Sequence, residues 1–475
     1  MAERLAGKEA KVFHDSLAVI RRNYRRNKHR ENLFLAKQRL DQVGFSVPDS
    51  MKEFEAAIGW PEKAVMVPAR RIKPSVFDTA GGSKDFADEV NERFSGRYMR
   101  TMERMLIDAS LRHGCSFAFV TPGDTDEGEP DVVVSARSAL EATAFINRRT
   151  LQITSGLEAI DRYNYVLYLN GQTLSINNAQ GELLVTRRKP NRGVPVVTYA
   201  WGRTLERYFG RSRITRPVID YSGQAIRTML RQEVHAEHFS SPQRILEGAR
   251  QSAFTDKDGN LKDSLDIATG AIWGIPDFFD EETGEWRRAN LKQINASSMQ
   301  PHTEQLRSIA MMFSGETGIP VNQLGIIQDN PSSADAMRAS ETDLNTLVEA
   351  ELPNYEDSRS DLAGQVMRLA HPRMAGLDTE VNKLRGTLLN PATTSLSASA
   401  DWATKFVSAN PWAAQSDVVL EMWGFTGSQL ERLRNERARL NSGGVLQQLL
   451  QARNSQQQPA QPAVPPVIDD AGAGA

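Results

Sequence analysis

Apolar side chains recur three or four residues apart in several long stretches of the chain, and each such stretch predicts an amphipathic helix. Residues 1 to 75 are helical in pattern and basic, and a clear amphipathic helix follows at residues 84 to 113. A second begins near Thr215 to Pro217 and continues to about residue 239. Each of these helices is expected to bury its apolar face and to leave the opposite face polar.

Two further helices are predicted on either side of a short loop. One follows a cap at Ser297-Ser298 and ends at Gly315 or Gly318. The other begins at Ser332 or Ser333. The residues that link them combine glycine, proline and several apolar side chains, a composition typical neither of flexible polar linkers nor of strands. The loop is therefore predicted to pack against another part of the protein.

Between the first two helices the pattern changes to short runs that are apolar or alternate between apolar and polar residues. The runs are CSFAFVTP at 115–122, DVVVSA at 131–136, NYVLYLNGQTLSINNAQGELLVTRRKP at 164–190 and VPVVTYAWG at 194–202. Asn170-Gly171 and Gln180-Gly181 supply turn signals. The pattern predicts a mainly antiparallel sheet packed on helices, which places the chain in the α+β class.

The last third of the chain returns to helical spacing. Pro353 is expected to break or kink the helix that precedes it, and helical spacing then continues to His371-Pro372. Ser428 and Glu431 form a capping box that opens another helix. From about Asn454 the sequence is rich in Gln, Pro and Ala, cannot bury enough apolar surface to order itself, and is predicted to be disordered.

Composition limits the possible functions. With 475 residues, of which 40% are hydrophobic and 24% charged, the chain is long enough for several cores. No apolar run approaches the length of a membrane span, and the first residues are basic, so neither membrane insertion nor signal-directed secretion is expected. The net charge of −2 is unlike that of a protein that holds nucleic acid through many phosphate contacts, so DNA contact by the chain as a whole is expected to be weak.

One segment, RRNYRRNKHR at residues 21–30, departs from this balance. Its basic residues are Arg21, Arg22, Arg25, Arg26, Lys28 and Arg30. A solvated helix face is the favoured interpretation. The alternative is a patch that contacts nucleic acid or an acidic partner.

The sequence contains no motif for a phosphate cradle, an activated nucleophile or a zinc protease, so an enzyme is not predicted and neither a metal nor a cofactor is expected. A nuclease with unmarked carboxylates remains an alternative. His235 and His238 could share a metal ion on one helix face, although solvated or interface histidines are favoured. Cys115, the single cysteine, excludes a disulfide framework and is predicted to be a buried strand residue.

The stretch ETGIPVNQLGIIQDNPSSADAMRASETDL, residues 316–344, resembles the tunnel-loop region of the portal proteins of tailed bacteriophages. In that family a helix ending in Gly-Ile/Val-Pro leads to Leu-Gly, then to Asn-Pro-Ser-Ser, and then to a long helix containing Arg-Ala-Ser-Glu. The order of helix, small α/β segment, helix, loop and helix is also similar, and this resemblance covers roughly residues 95 to 425.

The resemblance implies a portal fold with long stem helices, an α/β wing domain, a small α/β clip and a helical C-terminal crown. The implied segments are the wing at 1–214, the first stem helix at 215–240, the clip at 241–297, the second stem helix at 298–318, the tunnel loop at 319–335, a long kinked helix with the return to the wing at 336–424, crown helices at 425–453 and a disordered tail at 454–475.

The resemblance also implies a homo-oligomeric ring, typically twelvefold, at one capsid vertex of a virion, assembled in the host cytoplasm and serving as a conduit for DNA. Implied partners are further copies of the chain, the terminase large subunit, a head-tail adaptor, the major capsid and scaffolding proteins and double-stranded DNA, but no membrane. The implied channel loop contains Ile319, Pro320, Leu324, Gln328, Asp329, Asn330, Pro331, Ser332 and Ser333. Another ring-forming viral adaptor or structural protein is the alternative.

Overall fold

The computed structural model of the protein describes residues 3–5, 7–37, 56–179, 183–187, 192–239, 243–248, 277–280, 282–288, 290–294, 298–326, 334–392, 396–416, 419–420, 423, 425, 429–430 and 432–439. The chain divides into two compact units, Met1–Ala392 and Thr393–Ala475, which are treated separately below.

The fold mixes helices and strands, as the α+β class requires. The helices are α1 (Gly7–Phe34), α2 (Trp60–Ala69), α3 (Lys84–Ser95), α4 (Arg97–His113), α5 (Arg216–Phe239), α6 (Gln300–Thr317), α7 (Ala334–Glu349), α8 (Leu352–Ala370), α9 (Leu377–Lys383) and α10 (Leu396–Ala409). The strands are β1 (Glu3–Arg4), β2 (Lys73–Thr79), β3 (Cys115–Pro122), β4 (Val132–Ser138), β5 (Ala142–Ile146), β6 (Ile153–Ala159), β7 (Asn164–Leu169), β8 (Gln172–Asn177), β9 (Leu184–Arg187), β10 (Val196–Ala200), β11 (Gln243–Glu247), β12 (Phe278–Asp280), β13 (Glu285–Arg287), β14 (Asn290–Ile294) and β15 (Leu384–Leu389).

The larger sheet has six antiparallel strands in the order β1-β9-β8-β7-β6-β5. Leu169 pairs with Gln172, so Asn170 and Gly171 form the two-residue turn that their sequence predicts, and Gly171 has the positive φ of 79° that such turns require. The predicted turn at Gln180-Gly181 lies outside the described residues. Helix α1 covers this sheet with Phe13, which packs among the strand residues of one buried cluster.

A second sheet, of order β10-β3-β4, is buried on both faces. Along β3 the side chains alternate, as the pleat of a strand requires. Phe117 and Phe119 join a cluster with Tyr168 of the larger sheet. Ala118 and Val120 face the opposite side and join the main core, which the helices of the first unit line. The near-continuous apolar run of this strand follows from burial on both faces.

A two-stranded pairing of β2 with β15 brings together parts of the chain about three hundred residues apart in sequence. Arg359 of α8 donates to Glu103 of α4 at 2.8 Å beside this pair, and both side chains are buried. The Arg359 guanidinium also lies 4.0 Å from the ring centroid of Phe77 in β2. This closure ties the C-terminal part of the first unit to its N-terminal helices.

Helices α5 and α6 pack side by side and run antiparallel. His235, late in α5, contacts His302, early in α6, at 3.1 Å. Arg213, just before α5, donates to the carbonyl of Thr317, the last residue of α6, at 2.6 Å. Strand β11 follows α5 in the sequence and β14 precedes α6. These two strands pair antiparallel, so the start and the end of the segment between the helices lie side by side.

The prediction of a single helix from 84 to 113 is wrong at one point. Helix α3 begins after Ser83, whose side chain accepts the N–H of Phe86, and ends at Ser95. Gly96 then has an extended backbone, with ψ of 148°, and α4 begins at Arg97. Apolar spacing continues across the break because both helices bury the same kind of face, so spacing alone did not reveal it.

The helix ends around the loop are closer to prediction. Helix α6 ends at Thr317, and the second of the two predicted stops, Gly318, adopts a left-handed φ of 72° that suits glycine. Ser298 Oγ accepts the N–H of Gln300, although Met299 occupies the cap position itself. The predicted break at Pro353 is confirmed, because α7 ends at Glu349 and α8 starts with this proline in its first turn.

In the second unit, α10 is followed by a short 3-10 helix, Pro411–Gln415. Ala403, Ala413 and Val419 form its small buried cluster. Residues 429–430 and 432–439 are helical, in agreement with the helix predicted there. The capping pair Ser428 and Glu431 lies outside the described residues, as does the tail from 454.

Candidate functional site

The loop that the sequence singles out starts from a fixed base. After Gly318 come Ile319 and Pro320 and then a short 3-10 helix, Val321–Leu324. Ile319 is fully buried and Leu324 is nearly so, and Pro320 is buried beside them. These three side chains anchor the loop in the main core, because apolar residues beside a helix end gain stability from burial.

Of the channel-loop residues that the resemblance implies, Ile319, Pro320 and Leu324 are buried within the protomer. Their relation to a channel stays a prediction. Gln328, Asp329, Asn330, Pro331, Ser332 and Ser333 lie outside the described residues. Helix α7 begins directly after them, at Ala334.

Helix α2 holds the start of the loop from one side through polar contacts. The indole N–H of Trp60 donates to the carbonyl of Leu324 at 3.3 Å, and the Lys63 ammonium donates to the carbonyl of Gln323. The Trp60 ring also packs on Phe313 of α6, with ring centroids 5.2 Å apart. One tryptophan thus fixes both the helix that enters the loop and the turn that follows it.

Arg213 holds the end of α6 from a second side. Its guanidinium donates to the carbonyl of Thr317 at 2.6 Å and to the carbonyl of Ala64 in α2 at 3.3 Å. Burial lowers the pKa of Arg213 to about 10, so the side chain remains charged at neutral pH. A cation at the C-terminus of a helix also interacts favourably with the helix dipole.

Arg71 completes the base on the far side of the loop. It pairs with Glu341 of α7 at 3.3 Å and donates to Asn345 Oδ1 at 2.8 Å. Gln323 donates to the same Glu341 carboxylate at 3.4 Å. We call Trp60, Lys63, Arg71 and Arg213, with the groups they contact, the loop base.

The basic segment lies on α1, on the face opposite the buried residues Phe13, Leu17 and Ile20. The side chains of Arg21, Arg22, Arg25, Arg26 and Lys28 are exposed, and Arg30 is half-buried. The exposed Arg207, from the segment after β10, lies near this face, since it contributes with burial and Arg26 to lowering the pKa of Arg30 to about 10. We call these seven residues the basic patch.

Beside the basic patch, one carboxylate is committed to the fold. Glu31 of α1 accepts two bonds from the Arg112 guanidinium at 3.1 Å, and His113 Nε2 lies 3.3 Å from the same carboxylate. The hydrogen bond from His113 and the charge of Arg112 lower the pKa of Glu31 to about 2. Burial lowers the pKa of His113, so the histidine is neutral at pH 7 and donates as a neutral imidazole.

Cys115 and His235 lie in structural surroundings, and the side chain of His238 lies outside the described residues. Cys115 is buried, and burial raises the pKa of its thiol to about 12, which makes it unreactive. His235 meets His302 on the neighbouring helix, a pairing that the sequence spacing of His235 and His238 did not indicate. In the part of the chain that the structure describes, no three or more His, Cys, Asp or Glu side chains converge on a common point. No described helix is both long and apolar enough to span a membrane.

Sequence reasoning missed the loop base. Its contacts join residues at least a hundred positions apart in the sequence, such as Trp60 and Leu324, and no local pattern signals such pairs. The only available signal was the apolar composition of the loop, which predicted packing without naming the partner.

Two sequence relatives match most of this chain. No protein-family model matches the chain. The portal protein of Mycobacterium phage L5 is 26% identical over 386 residues, covering 78% of this chain and 76% of the relative. The portal protein of Mycobacterium phage D29 is 25% identical over 415 residues, covering 84% of this chain and 82% of the relative.

Among solved structures, the neck of a native GTA particle, computed with C12 symmetry, aligns with a TM-score of 0.40 at 14% identity, over 76% of this chain and 89% of the other. The neck of an empty GTA particle, computed with C6 symmetry, aligns with a TM-score of 0.41 at 13% identity, over 85% of this chain and 94% of the other. Over most of its length this chain is therefore similar to proteins named portal protein from two mycobacteriophages.

Proposed function

We propose that the protein forms a ring-shaped portal at one capsid vertex, through which double-stranded DNA is packaged and ejected. The observation that carries the proposal is the order of elements in the middle of the chain: α5, the strand pair β11 and β14, α6, the loop and α7. Relatives named portal protein align with 78% and 84% of this chain. An antiparallel helix pair is also what the stem implied by the resemblance would require.

In this proposal the segments keep the bounds set out from the sequence. The wing covers 1–214 with the return at 336–424, and the stem helices cover 215–240 and 298–318. The clip is 241–297, and the crown and tail follow from 425. The proposed role is structural and does not involve catalysis. The protein would assemble in the host cytoplasm and act in the virion.

Ring formation has a physical basis in the exposed surface of α6. Ile309, Ala310 and Phe313 of this helix are buried inside the protomer. Met311 and Met312 are half-exposed on its other side. Apolar surface on a long helix favours burial against a neighbouring copy, and a heterologous contact of this kind closes into a ring when its rotation permits.

The clip is the proposed contact for the terminase large subunit during packaging and for the head-tail adaptor afterwards. The strand pair β11 and β14 supports this role because it belongs to the segment between the two helices and carries exposed polar side chains. Lys292 and Glu247, which pair at 2.7 Å, are both exposed there. The capsid and scaffolding proteins would meet the wing.

The loop base supports a rigid start for a channel loop whose tip is proposed to be Gln328, Asp329 and Asn330. DNA slides past a wall only if that wall makes few tight phosphate contacts, because each Lys or Arg contact adds salt-dependent affinity. A near-neutral tip meets this requirement.

The test of the proposal is negative-stain electron microscopy with native mass spectrometry on the full chain. We expect rings with a central channel and a mass that is a whole multiple of the protomer. A stable monomer or a closed dimer, across salt and protein concentration, would contradict the portal function.

A second experiment tests the loop tip. Replacing Gln328, Asp329 and Asn330 with Lys should impair genome packaging while rings still form, since the new ammonium groups hold phosphates. Glu92→Lys, at an exposed position of α3, is the control for a local change of charge. Packaging at the normal level in the triple variant would contradict the placement of the tip.

A further inference from the structure

The basic patch concentrates positive charge along one helix. Residues 21 to 30 extend over about 14 Å of α1 at the usual rise per residue. Their arginines and lysine supply one positive charge per ~2 Å of axis, close to the ~1.7 Å per negative charge of a DNA duplex. The chain carries a net charge of −2, so the remainder of the protein is acidic and this density is local.

Within the described part of the chain, the acidic residues of α1 itself do not neutralise these charges. Helix α1 contains three acids, and Glu9 is paired with Arg187 at 3.0 Å while Glu31 is held by Arg112 at 3.1 Å. Asp15 lies nearly two turns before Arg21. Among the described residues, the exposed side chains at positions 21, 22, 25, 26 and 28 form no ion pair.

The patch is also assembled by the fold and is not only a run in the sequence. Arg207 reaches it from a segment about 180 residues later and acts on Arg30 as a neighbouring like charge. A further cation beside a helix face that contacts only water adds electrostatic repulsion and no stabilising contact. The mutual repulsion of these guanidinium groups falls when an anion lies between them.

We propose that the basic patch binds the phosphate backbone of double-stranded DNA, at a site separate from the loop base. Guanidinium groups match phosphate oxygens with paired N–H donors, and five of the six patch residues on α1 are arginines. An acidic protein partner would need a group of apolar anchors in the centre of the surface. This segment offers Tyr24, which is half-exposed, among its charged residues. A tyrosine hydroxyl also donates to phosphate.

The test measures binding of a fluorescent duplex of about 20 base pairs to the full-length protein by anisotropy, at about 50 and 200 mM salt. The variant carries Arg21→Glu, Arg25→Glu and Lys28→Glu. The matched control carries Arg97→Glu, Arg100→Glu and Arg104→Glu, three exposed arginines on α4 that give the same change in net charge. A neutral version of the first variant, with Gln at the three positions, removes the charges without reversing them.

We expect the patch variant to weaken binding at least ~10-fold and to reduce the slope of log affinity against log salt by about 3, since three phosphate contacts are lost. The neutral version should weaken binding to a smaller extent, and the control should change it less than ~3-fold. Equal losses in the patch variant and the control would overturn the proposal, as would displacement of the duplex by polyglutamate at equal charge concentration.

Failure of this proposal is distinguishable from failure of the portal function. Ring formation is measured on the same variants by native mass spectrometry. Rings that form without patch-dependent DNA binding would overturn the patch alone, and patch-dependent DNA binding by a chain that forms no ring would overturn the portal alone.

Discussion

The loop base and the basic patch use the same kinds of side chain in opposite ways. At the loop base, Arg213 and Lys63 donate to backbone carbonyls, and Arg71 is paired with Glu341. On α1 all of the patch cations except Arg30 are exposed, and the nearby Glu31 is already bound to Arg112. Cations of the first kind hold the fold, whereas those of the second kind are left for a partner. The contrast predicts that substitutions at the two places act on different measurements.

The largest effect on stability is expected from Arg213→Ala. Two carbonyls at the loop base would lose their donor, and leaving buried polar groups unpaired costs ~1–3 kcal/mol each. We expect a loss of about 3 kcal/mol in the free energy of unfolding, measured by urea titration. Arg211→Ala, at an exposed position two residues earlier, is the control and should change little. Similar unfolding curves for the two variants would remove the distinction between held and free cations.

Glu31→Gln tests whether the carboxylate beside the patch is committed to the fold. The pKa of Glu31 is about 2 in the folded protein, below its ordinary value of 4.5, so its contribution is fully present above pH 4.5. This contribution is lost as the pH falls from 4.5 toward 2. We expect the wild type to exceed the variant by about 2 kcal/mol at neutral pH, allowing for solvent screening, and the difference to shrink in acid.

The measurement for Glu31 is the free energy of unfolding from pH 7 to pH 2. Glu92→Gln, at an exposed position of α3, should show no such convergence with the wild type. A difference between wild type and Glu31→Gln that stays constant with pH would show that the carboxylate charge does not matter.

Trp60→Phe sharpens the account of the loop base. The ring contact with Phe313 is largely kept, whereas the N–H donated to Leu324 is lost. We expect a loss of about 1 kcal/mol. Hydrogen exchange of the amides in residues 321–326 should rise more than that in α4, because the contact acts locally. Unchanged exchange in the loop would contradict the role of the indole.

The smallest effect is expected in the basic patch. Arg25→Ala should change the free energy of unfolding by less than ~0.5 kcal/mol, because the side chain is exposed and forms no ion pair among the described residues. A loss of more than ~1 kcal/mol, measured as for Arg213, would place Arg25 among the cations that hold the fold.

The sequence predicted those features that depend on neighbouring residues. The extents of α5 and α6, the break at Pro353 and the hairpin at Asn170 follow from spacing, caps and turn chemistry. The strands β5 and β6 were missed because their Thr, Ser and Gly residues weaken the apolar pattern. Strand pairing stabilises them instead, since β6 pairs with β7 and β5 pairs with β6.

The sites show the same limit. The basic patch on α1 was visible as a run of residues, but the addition of Arg207 required the fold. The loop could be singled out by composition and resemblance, but the groups that fix it come from α2 and from Arg213. Contacts between residues far apart in sequence depend on the packing of whole elements, and local spacing carries no information about them.

The pairing of β11 with β14 has a consequence for how far the sequence between these two strands can change during evolution. Glu247 and Asn290 are register partners, so the two ends of the intervening segment are held together by backbone hydrogen bonds. Closing a loop between ends that are already joined adds only ~0.6 kcal/mol for each doubling of its length. Insertions, deletions or wholesale replacement between these residues are therefore inexpensive, and the outer end of the hairpin can evolve as an exchangeable module while the helices beneath it stay unchanged.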